Sequence, residues 1–122
     1  MRCGNWVLVS FLFLLHCSTM SQGVRAYHSG LHTRAMSYWL EMQEGDWARS
    51  PHSRARYALY RGLTHLSLGD EESAQRWLAE AKDVTDRQQG VLDDEDMGRL
   101  LVAWRVIGHE PGTWGRDVLE SR

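Results

Sequence analysis

Residues 55–84, ARYALYRGLTHLSLGDEESAQRWLAEAKDV, constrain the fold of this chain more than any other stretch. Leu59, Gly62, Leu63 and Leu66 recur at helical spacing, and so do Ala74, Trp77, Leu78, Ala81 and Val84. Apolar residues at i, i+3, i+4 and i+7 make one face of an amphipathic helix. Gly69-Asp70 lies between the two runs, where glycine ends one helix and aspartate caps the next. Gly62, Ala74 and Ala81 place small side chains where the two helices would touch. The expectation is an antiparallel hairpin of closely approached helices.

The rest of the chain follows the same period. Leu31, Ala35, Tyr38, Trp39 and Met42 predict a helix over 31–43, ended by Gly45. Ser50-Pro51 opens the helix that runs to Leu68, since serine caps well and proline is tolerated in the first turn. After a loop at Gly90, Asp93 starts a helix carrying Met97, Leu100, Leu101, Trp104 and Ile107. No segment alternates as a strand does. The expected fold is therefore all-α, a short array of antiparallel helical hairpins with about four helices after an N-terminal signal. Residues 111–122 are expected to form a turn-rich tail.

The N-terminus has a different chemistry. Arg2 is the only Asp, Glu, Lys or Arg before Arg25, and Trp6–Leu15 (WVLVSFLFLL) is apolar apart from Ser10. A bilayer-spanning helix needs about 20 apolar residues, whereas a secretory signal needs only a 7–15-residue core after a basic start. The run is expected to be a signal segment over 1–17; a buried N-terminal helix is the other reading. Leu14-Leu15-His16-Cys17 resembles the lipobox of bacterial lipoproteins, which makes Cys17 a lipidation candidate, although His16 stands where that family carries a small residue. Ordinary cleavage after Ser21 or Ala26 is the alternative, and would extend the signal to 26. Residues 18–30, with Ser, Gln and Gly, are expected to be a flexible tether. The helical domain then covers 31–110.

The two cysteines, Cys3 and Cys17, both fall in the signal, so the processed chain would carry no internal disulfide. Fourteen basic residues oppose sixteen acidic ones with no basic block, which argues against a nucleic-acid surface. All but Lys82 of the basic residues are arginine, a bias that points to a GC-rich bacterial genome.

Spacing within 55–84 resembles the tetratricopeptide repeat. Gly62 stands at the small site of the first helix, Gly69-Asp70 at the turn, and Ala74 and Ala81 at the small sites of the second. Leu78 stands where a large apolar residue is expected. Ala58, Arg61, His65 and Asp86 depart from the residues the family prefers at their positions, and no second copy lies in register. About three such repeats normally bury a continuous core, so the flanking helices or a partner must complete this one. The resemblance implies a non-enzymatic adaptor that binds another protein through a groove on the first repeat helix, lined by Arg54, Tyr57, Arg61 and His65. The alternative is a structural protein whose repeat core is closed by self-association.

Other candidates carry less. His28 and His32 are four residues apart and could face one metal, but no third ligand is near and they sit in the expected tether. Asp93–Asp96 lacks the alternate ligands and closing glutamate of a calcium loop, and its charge suits a helix start. His65 has no carboxylate or nucleophile placed beside it in sequence, so a satisfied core or interface histidine is expected rather than a general base. Trp47 and Trp114 lie beside glycine in turn-rich segments and are candidate interface anchors, with covering the ends of the bundle as the commoner role, while Trp77 and Trp104 fall on core stripes. No phosphate loop, dinucleotide fingerprint or nucleophile elbow is present. No metal, cofactor or catalytic residue is expected. The predicted location is the periplasm, or the outer membrane of a Gram-negative bacterium through a lipid on Cys17, with another envelope protein as partner.

Overall fold

Side-chain caps set three of the helix starts. Ser50, Asp70 and Asp93 each accept a hydrogen bond from the backbone N–H three residues on, at Ser53, Ser73 and Asp96, and each such cap is worth about 1 kcal/mol. The protein is described from a computed structural model covering residues 19–108. The signal segment expected over 1–17, with Cys17, and the tail expected over 111–122, with Trp114, lie outside the described residues.

Five helices run in order: α1 over 19–28, α2 His32–Met42, α3 Pro51–Ser67, α4 Glu71–Arg87 and α5 Asp94–Val106. No strand occurs among the described residues, and the fold is all-α. The four helices expected over 31–107 start and end within a few residues of their predicted limits. No described helix is long and apolar enough to cross a membrane.

The tether expected over 18–30 is corrected: residues 19–28 are helical, with Val24 and Ala26 buried. Gly23 explains how a polar segment packs there. A Cβ on Gly23 would stand 2.5 Å from the Trp39 ring, so the glycine lets α1 lie directly on the indole. Trp39 is fully buried, its Nε1–H donating to Thr64 Oγ1 at 2.8 Å.

The central element is α3, buried continuously from Tyr57 to Thr64. A helix buried all round has neighbours on every side. Here α4 packs along it antiparallel after the Gly69 turn, where φ is +82°. At the crossing, a Cβ on Gly62 would lie 2.7 Å from Leu78 Cγ and 3.1 Å from the Leu78 backbone nitrogen. Ala74, Leu78, Ala81 and Val84 are the buried stripe of α4. On the other sides of α3 lie α1, α2 and α5.

Candidate functional site

Two of the four residues expected to line a groove on the first repeat helix, Tyr57 and Arg61, are inside the protein, and for them that expectation is corrected. Tyr57 is 0% exposed and Arg61 8%. The α2–α3 connection folds over them, bringing Gln43 and Trp47 onto α3. Tyr57 donates its hydroxyl to the Trp39 carbonyl at 2.7 Å and accepts from Arg61 Nη1 at 3.0 Å. The same Nη1 reaches Gln43 Oε1 at 2.9 Å. Trp47 stacks on Tyr57 at 4.8 Å and meets Trp77 edge-on at 5.4 Å. The Arg61 guanidinium lies 4.3 Å from the centre of the Trp77 ring.

Among the described residues no carboxylate lies within ion-pair distance of Arg61; the aromatic face and two neutral oxygens hold its charge. Trp47 thus closes the α3–α4 crossing instead of standing free as an anchor. Burial raises the Tyr57 pKa, against the opposing pull of Arg61.

Arg54 and His65 flank this cluster. Arg54 is half-exposed and paired with Glu80 of α4. The His65 side chain is 14% exposed, with Nδ1 at 3.4 Å from Asp70 Oδ2 and a buried Nε2 that has no hydrogen-bond partner. Burial pushes the His65 pKa below its ordinary value, Arg61 and Arg76 add to this, and Asp70 opposes it. The Asp70 carboxyl is itself held below the usual carboxylate range, first by the Ser73 N–H.

The lowered His65 pKa has a definite sign. Below about pH 6.5 the unfolded chain protonates this imidazole before the folded one does, so acid favours unfolding. This stability is fully present above about pH 6.5 and is lost as the pH falls through the folded-state pKa. Urea midpoints at about pH 7.5 and about pH 5.5 should differ less in His65→Gln than in the wild type. Equal shifts in both proteins would show that His65 carries none of this dependence.

A second polar cluster joins α1, α3 and α5. Tyr60 donates its hydroxyl to Asp96 Oδ1 at 2.7 Å, and Arg99 Nη1 reaches the same oxygen at 3.0 Å. Arg56 Nε lies 3.8 Å from Asp96 Oδ2. His28 Nε2 is 3.3 Å from the Tyr60 oxygen. Because the Asp96 carboxylate can only accept, Tyr60 gives it the proton and His28 must donate to Tyr60. Burial and then the Asp96 bond raise the Tyr60 pKa, keeping it a neutral phenol. Tyr60 is 2% and Asp96 5% exposed. With every member engaged by another, the cluster ties three helices together. His28 meets Tyr60 and His32 meets the Tyr27 ring, and no group of three or more His, Cys, Asp or Glu side chains placed to hold a metal ion occurs among the described residues.

The open apolar surface lies elsewhere, on α5. A groove of about 610 Å³ runs between Leu101, Val102 and Val106 of α5, Leu63 and Leu66 of α3, and Tyr27 of α1. Val102 is 62% and Val106 63% exposed. Gly98 and Arg99 line its far end. The α5 core stripe read from the sequence includes Leu101 but leaves out Val102 and Val106. The available signal was that α5 carries apolar residues off its stripe, at Val102 and Val106, where an ordinary amphipathic helix is polar.

Comparisons with protein-family models, with curated proteins and with solved structures find no match to this chain.

Proposed function

We propose that the protein is a non-enzymatic interaction adaptor or assembly factor of the bacterial envelope that docks another envelope protein on its α5 face. The observation that carries this reading is the solvent-exposed pair Val102 and Val106 beside the α5 groove. Water-facing valines one helical turn apart are costly unless something covers them. A groove bounded by helices suits an amphipathic helix laid against it. The repeat-like spacing of Gly62, Gly69-Asp70, Ala74, Leu78 and Ala81 supports an interaction module. The charged side chains of the two polar clusters are held by structural partners, Arg61 by Tyr57, Gln43 and the Trp77 ring and Asp96 by Tyr60 and Arg99, which supports binding over catalysis.

Export is part of the same proposal, with the protein in the periplasm or held at the outer membrane by a lipid on Cys17. The packing of α1 bears on the processing point. A cut after Ala26 would remove Gly23 and Val24 from a folded helix, and a cut after Ser21 would shorten it. A cut just before Cys17 leaves α1 whole.

The test is a photocrosslinking amino acid at Val102 in the producing bacterium. A discrete envelope partner should be captured there and lost when V106D is added to the probe-carrying chain, whose melting temperature should stay near that of the parent because the Val106 side chain already faces water. Capture at position 102 that survives V106D would refute the α5 face as the docking surface. A protein that sediments as a dimer, and as a monomer when V102D/V106D is introduced, would move the reading to self-association.

A further inference from the structure

A second cleft lies away from α5, where the start of α1, the end of α2 and the start of α3 meet. Its volume is about 330 Å³, and it shares no lining residue with the α5 groove. We infer that it binds a short zwitterionic peptide. Glu41 and Asp46 receive the free amino group, Arg49 and Ser53 receive the carboxylate, and Met20, Met42 and Trp47 cover the side chains.

Glu41, Asp46 and Arg49 all line the cleft and are exposed. Among the described residues, none of the three side chains is held in an ion pair or a hydrogen bond. Acids and a base that share one cleft without reaching each other suit a molecule that carries both signs. An ammonium group donates to the carboxylates, and the guanidinium fork matches a carboxylate. The other basic side chains of the cleft are already engaged. Arg56 Nε lies 3.8 Å from Asp96 Oδ2, and His52 Nδ1 is 2.8 Å from the Val91 carbonyl oxygen. Ser53 Oγ accepts from Ser50 Oγ at 3.0 Å, so its own proton is free to join Arg49 on an anion.

The apolar floor selects among zwitterions. Met20, Met42 and Trp47 are half-buried, and Trp47 stacks on Tyr57 at 4.8 Å. Trp47 Nε1–H is taken by the Gln43 carbonyl at 3.2 Å, so the indole offers its ring and not its donor. Flexible methionine thioethers adapt to side chains of different shape. A compact zwitterion such as phosphoethanolamine has no group to cover this floor, whereas a peptide has side chains beside its charged ends. Size sets the upper limit: ligand sites span about 300–1,000 Å³, and this cleft stands at the small end, where a peptide of about two residues fits.

Isothermal titration of leucyl-phenylalanine into the purified chain tests the assignment. One equivalent should bind, and the indole N–H resonance of Trp47 should shift while that of Trp104, on α5, stays in place. Acetylating the amino group of the dipeptide should weaken binding about fivefold, and so should amidating its carboxylate. Two variants assign the contacts. In E41Q/D46N the acetylation penalty should vanish and the amidation penalty remain; in R49Q the reverse should hold. These three side chains are exposed and unpaired, so both variants should melt as the wild type does. Glycylglycine and phosphoethanolamine should each bind at least about tenfold more weakly, because neither buries an apolar side chain.

No heat at about 10 mM leucyl-phenylalanine, where a millimolar site would be nearly saturated, would overturn the proposal. An acetylation penalty that survives E41Q/D46N, or binding that leaves the Trp47 resonance unmoved, would do the same. Phosphoethanolamine binding as tightly as the dipeptide would show that the apolar floor is not read, and would also overturn it. V106D should leave the titration unchanged, so loss of α5 docking and loss of dipeptide binding are separate results.

Discussion

Trp39→Ala should lower the unfolding free energy by about 3–5 kcal/mol, the usual cost of emptying a tryptophan site in a core. That is a large part of the 5–15 kcal/mol that holds a typical domain. The expected size follows from where the indole sits. Trp39 is fully buried, its ring lies against the backbone of Gly23 in α1, and it meets Tyr57 of α3 edge-on at 5.9 Å. Its Nε1–H satisfies Thr64 Oγ1, which in turn donates to the Tyr60 carbonyl at 2.7 Å. Three helices therefore converge on one side chain.

Trp39→Phe keeps most of the volume and loses the N–H, so its cost should be nearer 1–2 kcal/mol, within the range for one buried hydrogen bond plus a smaller void. Urea denaturation followed by circular dichroism measures both variants. Hydrogen exchange adds the spatial test: Trp39→Ala should release protection in residues 19–28 before the rest of the domain. A loss below about 1 kcal/mol, with α1 still protected, would mean that the indole does not hold α1 in place.

The same residue shows what local pattern can and cannot carry. Helix starts at Ser50, Asp70 and Asp93 were legible because a cap is a bond over three residues, and the α4 stripe was legible because its period repeats through about three turns. Helix α1 was not, since Ser18–Gly30 has the composition of a linker. Its helicity depends on Gly23 meeting a ring sixteen positions away.

Tyr57 and Arg61 were misplaced for a related reason. Their polar tips suggest a solvent face, but a tyrosine hydroxyl or a guanidinium can be buried when acceptors and a ring are supplied from elsewhere. Gln43, Trp39 and Trp77 supply them here. The α5 groove depends on which side of α5 the other helices leave uncovered, and that is a property of the whole packing.

Gly62→Val should cost about 3 kcal/mol, through the α3–α4 crossing. The first added carbon would stand 2.7 and 2.8 Å from Leu78 Cγ and Cδ2, and 3.1 Å from the Leu78 backbone nitrogen. Leucine can rotate away, but the backbone nitrogen cannot, so the two helices must separate. Overpacking of this kind costs about 1–3 kcal/mol, and the branch of valine adds to it. Gly62→Ala should be milder, because alanine recovers up to about 1 kcal/mol of helix propensity. The decisive measurement is the double variant. Leu78→Ala alone empties a fully buried site and should cost about 2–5 kcal/mol. Combined with Gly62→Val, the new methyls occupy the space that Leu78 vacates, so the double variant should be more stable than the sum of the singles predicts, by about 1 kcal/mol or more. Additivity within about 0.5 kcal/mol, the behaviour of distant sites, would show that Gly62 and Leu78 do not share this contact. Since α3 also carries Leu63 and Leu66 into the α5 groove, forcing α3 from α4 should reach that surface as well. Gly62→Val should therefore weaken partner capture at Val102, whereas Trp39→Phe should leave it unchanged.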